Sequence, residues 1–165
     1  MKVKLTYTTE LLMDSSERTL AETQEEWNQV ADDSNGELEL VGSSLEELML
    51  WDKVQPSVAE VAAFMEWCNS HTTLQQAAAW FWLDVTNATV VDWENFDVSG
   101  IDIVDGSLVV AATIFADTQF LAECEPIVRR FFDYGSFADY LENSGDFLEF
   151  EFGGNTYVVT NANTI

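Results

Sequence analysis

The chain has 165 residues, 30 Asp or Glu against 6 Lys or Arg, and a formal net charge of −24. That charge repels phosphates and excludes ordinary nucleic-acid binding, while 47% hydrophobic and 13% aromatic residues exclude a solvated tail too poor in apolar side chains to fold. No run approaches the ~18 apolar residues of a membrane span, and the 2 cysteines are too few for a disulfide framework, so a reducing, cytoplasmic setting in the host cell is expected.

Lys2 to Tyr7 alternates Val3, Leu5 and Tyr7 with Lys2, Lys4 and Thr6, the period of a half-buried strand and not the unbroken apolar run of a signal peptide. Thr19-x-x-Glu22 and Thr23-x-x-Glu26 are overlapping capping boxes and predict a helix with Leu20, Trp27 and Val30 on one side. Ser34-Asn35-Gly36 ends it, and Glu37 to Val41 alternates as a second strand. Ser44-x-x-Glu47, Ser57-x-x-Glu60 and Thr72-x-x-Gln75 open three more helices. The first stops before Pro56, the second carries the stripe Val58, Val61, Ala62 and Met65, and the third runs into the apolar segment Ala77 to Leu83.

From Ala88 the pattern predicts strands over Thr89–Trp93, Ile101–Val104 and Leu108–Phe115, with Asp105-Gly106 as a hairpin turn between the last two. Asp117 is placed to cap a short helix to Glu123, Pro126 suits a first helical turn, and Ser136-x-x-Asp139 starts a helix ending near Gly145. The end reads as a hairpin, with Leu148, Phe150 and Phe152 on one face, Glu149 and Glu151 on the other, and Gly153-Gly154-Asn155 as its turn. The expected class is α+β, an elongated chain of small abutting subdomains with antiparallel sheets at both ends and a helical middle. Its divisions are an N-terminal β/α part over 1–43, a helical part over 44–86 and a C-terminal α+β part over 87–165.

Catalytic chemistry lacks materials, since an enzyme of the common classes needs a tuned base and usually a nucleophile or a metal. His71 is the sole histidine. Cys68-Asn69-Ser70-His71 is half of a zinc spacing, but a helix-end histidine beside a core cysteine accounts for it better. Placing Gly36 as the turn glycine of a calcium loop puts the first ligand on Ala31 and the last on Gly42, and neither can ligate through its side chain. No glycine-rich phosphate loop occurs. The expectation is no catalytic residue, no cofactor and no metal. Trp80-Phe81-Trp82 and the aromatics Phe131, Phe132, Tyr134 and Phe137 read as packing residues.

Between Lys53 and Arg129 there are 11 Asp or Glu and no Lys or Arg, which leaves adaptation to high salt or imitation of a polyanion. Salt adaptation predicts an otherwise recognisable enzyme or binding module, and none is present. Imitation fits the arithmetic: duplex DNA carries one charge per about 1.7 Å of axis, so the net charge corresponds to roughly 41 Å, or about 12 base pairs. Carboxylates two apart on a strand or three to four apart on a helix stand ~5 to 7 Å from each other. The contact acids expected on polar faces are Glu22, Glu25, Glu26, Asp32, Asp33, Glu37, Glu39, Glu46, Glu47, Asp92, Glu94, Asp97, Asp102, Asp105, Asp139, Glu142, Asp146, Glu149 and Glu151. They act collectively, with no one carboxylate decisive.

Residues 127–147 carry a more specific signal. Asp133, Tyr134, Phe137, Ala138, Leu141, Ser144 and Gly145 fall on matching positions of a pattern in which an apolar helix leads to Asp-Tyr, an aromatic, a small residue, Arg-Asp-Leu and a Ser-Gly turn before a final hairpin. The segment resembles the ArdA antirestriction family. It departs at Asp139-Tyr140, where the family usually has Arg-Asp. The resemblance implies an elongated, dimeric DNA mimic that occupies the DNA groove of type I restriction-modification enzymes. A Cas effector inhibited by the same mimicry is the alternative target, and an acidic module that covers one basic partner is the alternative class.

Overall fold

A computed structural model describes residues 2–8, 15–20, 37–41, 43–57 and 59–165, the first three ranges as backbone. Strands β1 (Lys2–Thr8), β2 (Ser15–Leu20) and β3 (Glu37–Val41) form an antiparallel sheet in the order β2-β1-β3. Lys4 stands opposite Thr19 on one side and Glu39 on the other. Thr19 and Leu20 are thus strand residues, so the first of the two overlapping capping boxes opens no helix. Their β-branched and hydroxylated run, Ser15 to Leu20, has a partner in β1, and a paired strand overrides a local cap signal. The remainder of that expected helix, with Thr23, Trp27 and Val30, lies outside the described residues.

Three helices follow: α1 (Leu45–Val54), α2 (Val61–Ser70) and α3 (Thr73–Thr86). The boxes at Ser44 and Thr72 close in both directions, Glu47 N donating to Ser44 Oγ at 3.2 Å and Ser44 N to Glu47 Oε2 at 3.0 Å. Each cap satisfies amides that have no partner within the helix. Ser57 N donates to Glu60 Oε2 at 2.9 Å, but this bond closes a turn and the helix starts one residue beyond it. The buried face of α2 is Val61, Phe64, Trp67 and Cys68. Ala62 and Met65, expected on it, are half-buried at its edge, and Val58 lies outside the described residues.

The segment Thr89–Trp93 is irregular, not a strand. Val91, Trp93 and Val98 are buried in the same core as Leu50, Phe64 and Trp67, and Trp67 Nε1 donates to Phe96 O at 3.1 Å. The alternation records burial of side chains against helices, without a neighbouring strand to pair with. Phe152 and Tyr157 of the last hairpin join that core, so one hydrophobic cluster runs from α1 to the C-terminal sheet.

That sheet is antiparallel, ordered β4 (Ile103–Asp105), β6 (Asn155–Val159), β5 (Leu148–Phe152). β6 is central and reads Tyr157, Val158 and Val159 all buried, as expected of a strand covered on both faces. Leu108 to Gln119 is helix α4, not a strand, and Asp105-Gly106 is a strand-to-helix corner, not a hairpin. Gly106 has φ +126°, and a Cβ there would stand 3.2 Å from Val110 Cγ1, so the corner needs glycine. Leu108, Ala111, Ala112 and Ala116 form the buried stripe, and its small side chains let α4 lie close to Ala138 of α6 (Tyr134–Ser144) in a second core. The period of 3.6 set by these alanines outweighs the strand preference of Val109, Val110 and Ile114.

Asp117 sits inside α4, accepting the Tyr134 hydroxyl at 2.7 Å, and caps nothing. Pro126 opens the short α5 (Pro126–Arg130). Helix α6 is capped by Asp133, whose Oδ1 accepts Ser136 N at 3.0 Å, so the cap lies three residues before Ser136. Gly145 closes the helix at φ +79°. The fold is α+β.

Candidate anionic interaction surface

The acids divide by what holds them. Glu22, Glu25, Glu26, Asp32 and Asp33 lie outside the described residues. Glu37 and Glu39 are on β3, in register with Thr6 and Lys4. Glu46 and Glu47 occupy the first turn of α1 and are half-buried, where carboxylates favour the positive end of the helix dipole. Asp92, Glu94, Asp97, Asp102, Asp105, Asp139, Glu142, Glu149 and Glu151 are exposed, and Asp146 is half-buried in the turn between α6 and β5.

Several of these carboxylates are tied into the structure. Asp97 accepts Ser99 N at 2.8 Å and Ser99 Oγ at 2.9 Å, and those bonds hold its carboxyl below the usual carboxylate range. Asp92 accepts Asn95 Nδ2 at 2.9 Å. Asp146 accepts Ser144 Oγ at 2.7 Å and Asn163 Nδ2 on its other oxygen. Glu149 reaches across from β5, its Oε2 accepting Leu108 N at 2.6 Å. It therefore does for α4 what Ser107, whose side chain makes no capping bond, does not.

Asp102, Asp105, Asp139, Glu142 and Glu151 are exposed from the edge of the sheet to α6 and β5. Exposed acids outside the expected set, among them Asp52, Glu66, Glu123 and Glu125, extend the same field over α1, α2 and the loop before α5. Bases are few and partly committed. Lys53 Nζ meets Asp84 Oδ1 at 2.7 Å, and Arg129 Nη2 donates to Ala122 O at 2.8 Å. Among the described residues the field is accordingly little neutralised from within.

Cys68 and His71, the pair at half of a zinc spacing, pack in and against the core. Cys68 is 2% exposed, and burial, reinforced by the Glu47 carboxylate, pushes its thiol up to about 12. The His71 ring stacks on Trp67 with centroids 4.1 Å apart. Its Nδ1 lies 2.8 Å from Trp67 O, an oxygen that can only accept, so Nδ1 carries the proton. Gln76 Nε2 donates to Cys68 O and His71 O, locking the α2–α3 corner. Among the described residues no group of three His, Cys, Asp or Glu is placed to hold a metal ion.

Trp80, Phe81 and Trp82 pack inward, Trp80 stacking on Phe150 at 5.8 Å and Trp82 meeting Phe96 at 5.2 Å. Phe132, Tyr134 and Phe137 pack on one another. Phe131 departs from the packing role expected of it: it is 79% exposed, at the C-cap of α5. Phe120 and Tyr140, 60% and 64% exposed, are surface aromatics outside the set read as packing residues. Compared with known proteins, the chain matches no protein-family model, no curated protein and no solved structure.

Proposed function

We propose that the protein is a non-enzymatic inhibitor that imitates the anionic surface of duplex DNA and occupies the positively charged groove of a DNA-processing defence enzyme. A type I restriction-modification complex is the first target and a Cas effector the second. The observation that carries this reading is the outward placement of acids over consecutive elements, from Asp52 on α1 to Glu151 on β5, beside bases that are few and partly paired. Such a surface offers a Lys- and Arg-lined groove the same release of counterions that DNA offers.

The proposal extends to an elongated arrangement about 12 base pairs long, as the net charge implies, and to a homodimer, as the ArdA resemblance implies. The motif residues of that resemblance build the C-terminal fold. Asp133 caps α6, Ala138 and Leu141 are buried, and Gly145 ends the helix. They serve the architecture of this chain, while the acids would address the target. Glu47, Asp97 and Glu149 also hold local structure, so they contribute to the field from fixed positions.

The test is displacement of a labelled duplex from a type I restriction-modification complex and from a Cas effector at low salt. Release at stoichiometric protein supports the reading. Retention of DNA by every such complex at excess protein overturns it. Retrieval of one basic protein without DNA-processing activity would favour the acidic cover instead.

A further inference from the structure

Where α4, α6 and the turn into β5 meet, the surface opens into a cavity of about 400 Å³. Four of its lining side chains are aromatic and partly or largely exposed: Phe115 and Phe120 from α4 and its end, Phe137 and Tyr140 from α6. Phe120 stands perpendicular to Phe137, with centroids 6.0 Å apart, and Phe137 and Tyr140 lie within 11° of parallel at 6.5 Å. Walls meeting at right angles surround an occupant with π surface from more than one direction. Buried Phe147 lies among the lining residues, and so does Asp146.

Asp146 decides what the cavity takes. Its two oxygens accept from Ser144 Oγ and Asn163 Nδ2, which fixes the carboxylate while leaving each oxygen a further lone pair. Among the described residues no Lys, Arg or His lines the cavity. A neutral apolar occupant would cover this charge with no opposite charge beside it, a costly arrangement. A cation gains from the carboxylate, from the quadrupoles of the rings and from the surrounding field of a chain with a net charge of −24. Guanidinium suits the site better than ammonium, being planar, weakly hydrated and able to stack on rings while it hydrogen-bonds a carboxylate.

We propose that this cavity receives an arginine side chain of a basic protein partner, giving the anionic surface one anchored contact that duplex DNA itself lacks. That the arginine comes from a groove-lining protein rests on the polyanion reading above, whereas the preference of the cavity for guanidinium does not.

The experiment titrates the full chain with Nα-acetyl-arginine methylamide and, separately, with its neutral citrulline isostere and with toluene, following the ring signals of Phe120 and Tyr140 by carbon-proton NMR. Saturable shifts are expected with the arginine probe, with a dissociation constant on the order of millimolar, and binding of the citrulline probe about fivefold weaker or more. Tyr140→Leu and Phe120→Leu are each expected to weaken the arginine probe about two- to fivefold, while Tyr140→Phe, which keeps the ring, retains binding. Backbone signals of β5 and β6 report whether each variant is folded, and the Tyr140→Phe comparison stands even if a leucine variant is not. Absence of shifts overturns the proposal. So does toluene or the citrulline probe binding as tightly as the arginine probe, or binding unchanged in both folded leucine variants. Since the probe tests the cavity and duplex displacement tests the groove, either result can fail without the other.

Discussion

Glu149 and Glu151 stand two residues apart on β5 and carry the same charge, but only Glu149 reaches the first amide of α4, at 2.6 Å. Replacing each in turn with alanine removes one carboxylate from the field and lowers strand propensity equally. The structure separates them. Loss of a cap at a helix start costs about 1 kcal/mol, and loss of a negative charge at the positive end of the helix dipole about 0.3–1 kcal/mol more. Glu149→Ala is therefore expected to destabilise the protein by about 1–2 kcal/mol beyond Glu151→Ala, which should change stability by no more than about 0.5 kcal/mol. With a urea dependence of about 2 kcal/mol per molar, the unfolding midpoints of the two variants separate by about 0.5–1 M. Equilibrium urea unfolding followed by tryptophan fluorescence measures this directly. Coincident midpoints would refute the assignment of Glu149 as the cap of α4 and return it to the set of solvated acids.

Phe152 is fully buried and touches Trp80 and Tyr157, so Phe152→Ala should cost about 3–5 kcal/mol in urea unfolding; a loss below about 1 kcal/mol would mean that the hairpin does not share the helical core. The Cys68 thiol is raised from 9.0 to about 12 in the folded protein, so its contribution is fully present below about pH 9 and is lost as pH rises toward 12. Iodoacetamide at pH 8 should modify Cys68 only as the protein unfolds, and rapid labelling of the native protein would contradict that burial. Asp133 is held below its usual range by Ser136 N and Oγ, so the stability it lends is present above about pH 4 and is lost as pH falls through its lower folded value. Asp133→Asn should flatten the acid side of the thermal stability profile, and an unchanged profile would show that the cap bond is not linked to folding.

What was legible in the chain followed the range of the interaction. The caps at Ser44 and Thr72 involve partners three residues away, and both form as the pattern predicts. Pro126 and the turn at Gly153-Gly154 are equally local and readable, although Asn155, expected in that turn, is the first residue of β6. Leu108 to Phe115 misleads because Val109, Val110 and Ile114 favour a strand locally, while the deciding contact, Ala111 and Ala112 against Ala138, comes from a helix more than twenty residues downstream. Val91 and Trp93 alternate as a strand does, yet they enter the shared core from an irregular segment beside α1, α2 and α3. The exposure of acids such as Asp92, Asp102 and Glu151 was legible from charge and spacing, whereas the half-burial of Glu46, Glu47 and Asp146 was not. That Glu149 serves α4 was not, since its partner lies 41 residues earlier. The aromatic cavity was hidden for the same reason, being assembled from α4, α6 and the turn after α6.

The central claim is that the carboxylate field substitutes for DNA phosphates, and salt dependence tests it most directly. The inhibition constant for displacement of a short duplex from a type I restriction-modification complex would be measured from about 50 to about 300 mM salt, beside the affinity of the groove for a duplex of about 12 base pairs. The account predicts that inhibition weakens linearly on a double-logarithmic plot with a slope of several units, running alongside that of the duplex, because both release counterions from the same groove. A slope near zero, or no displacement at the lowest salt, would contradict it.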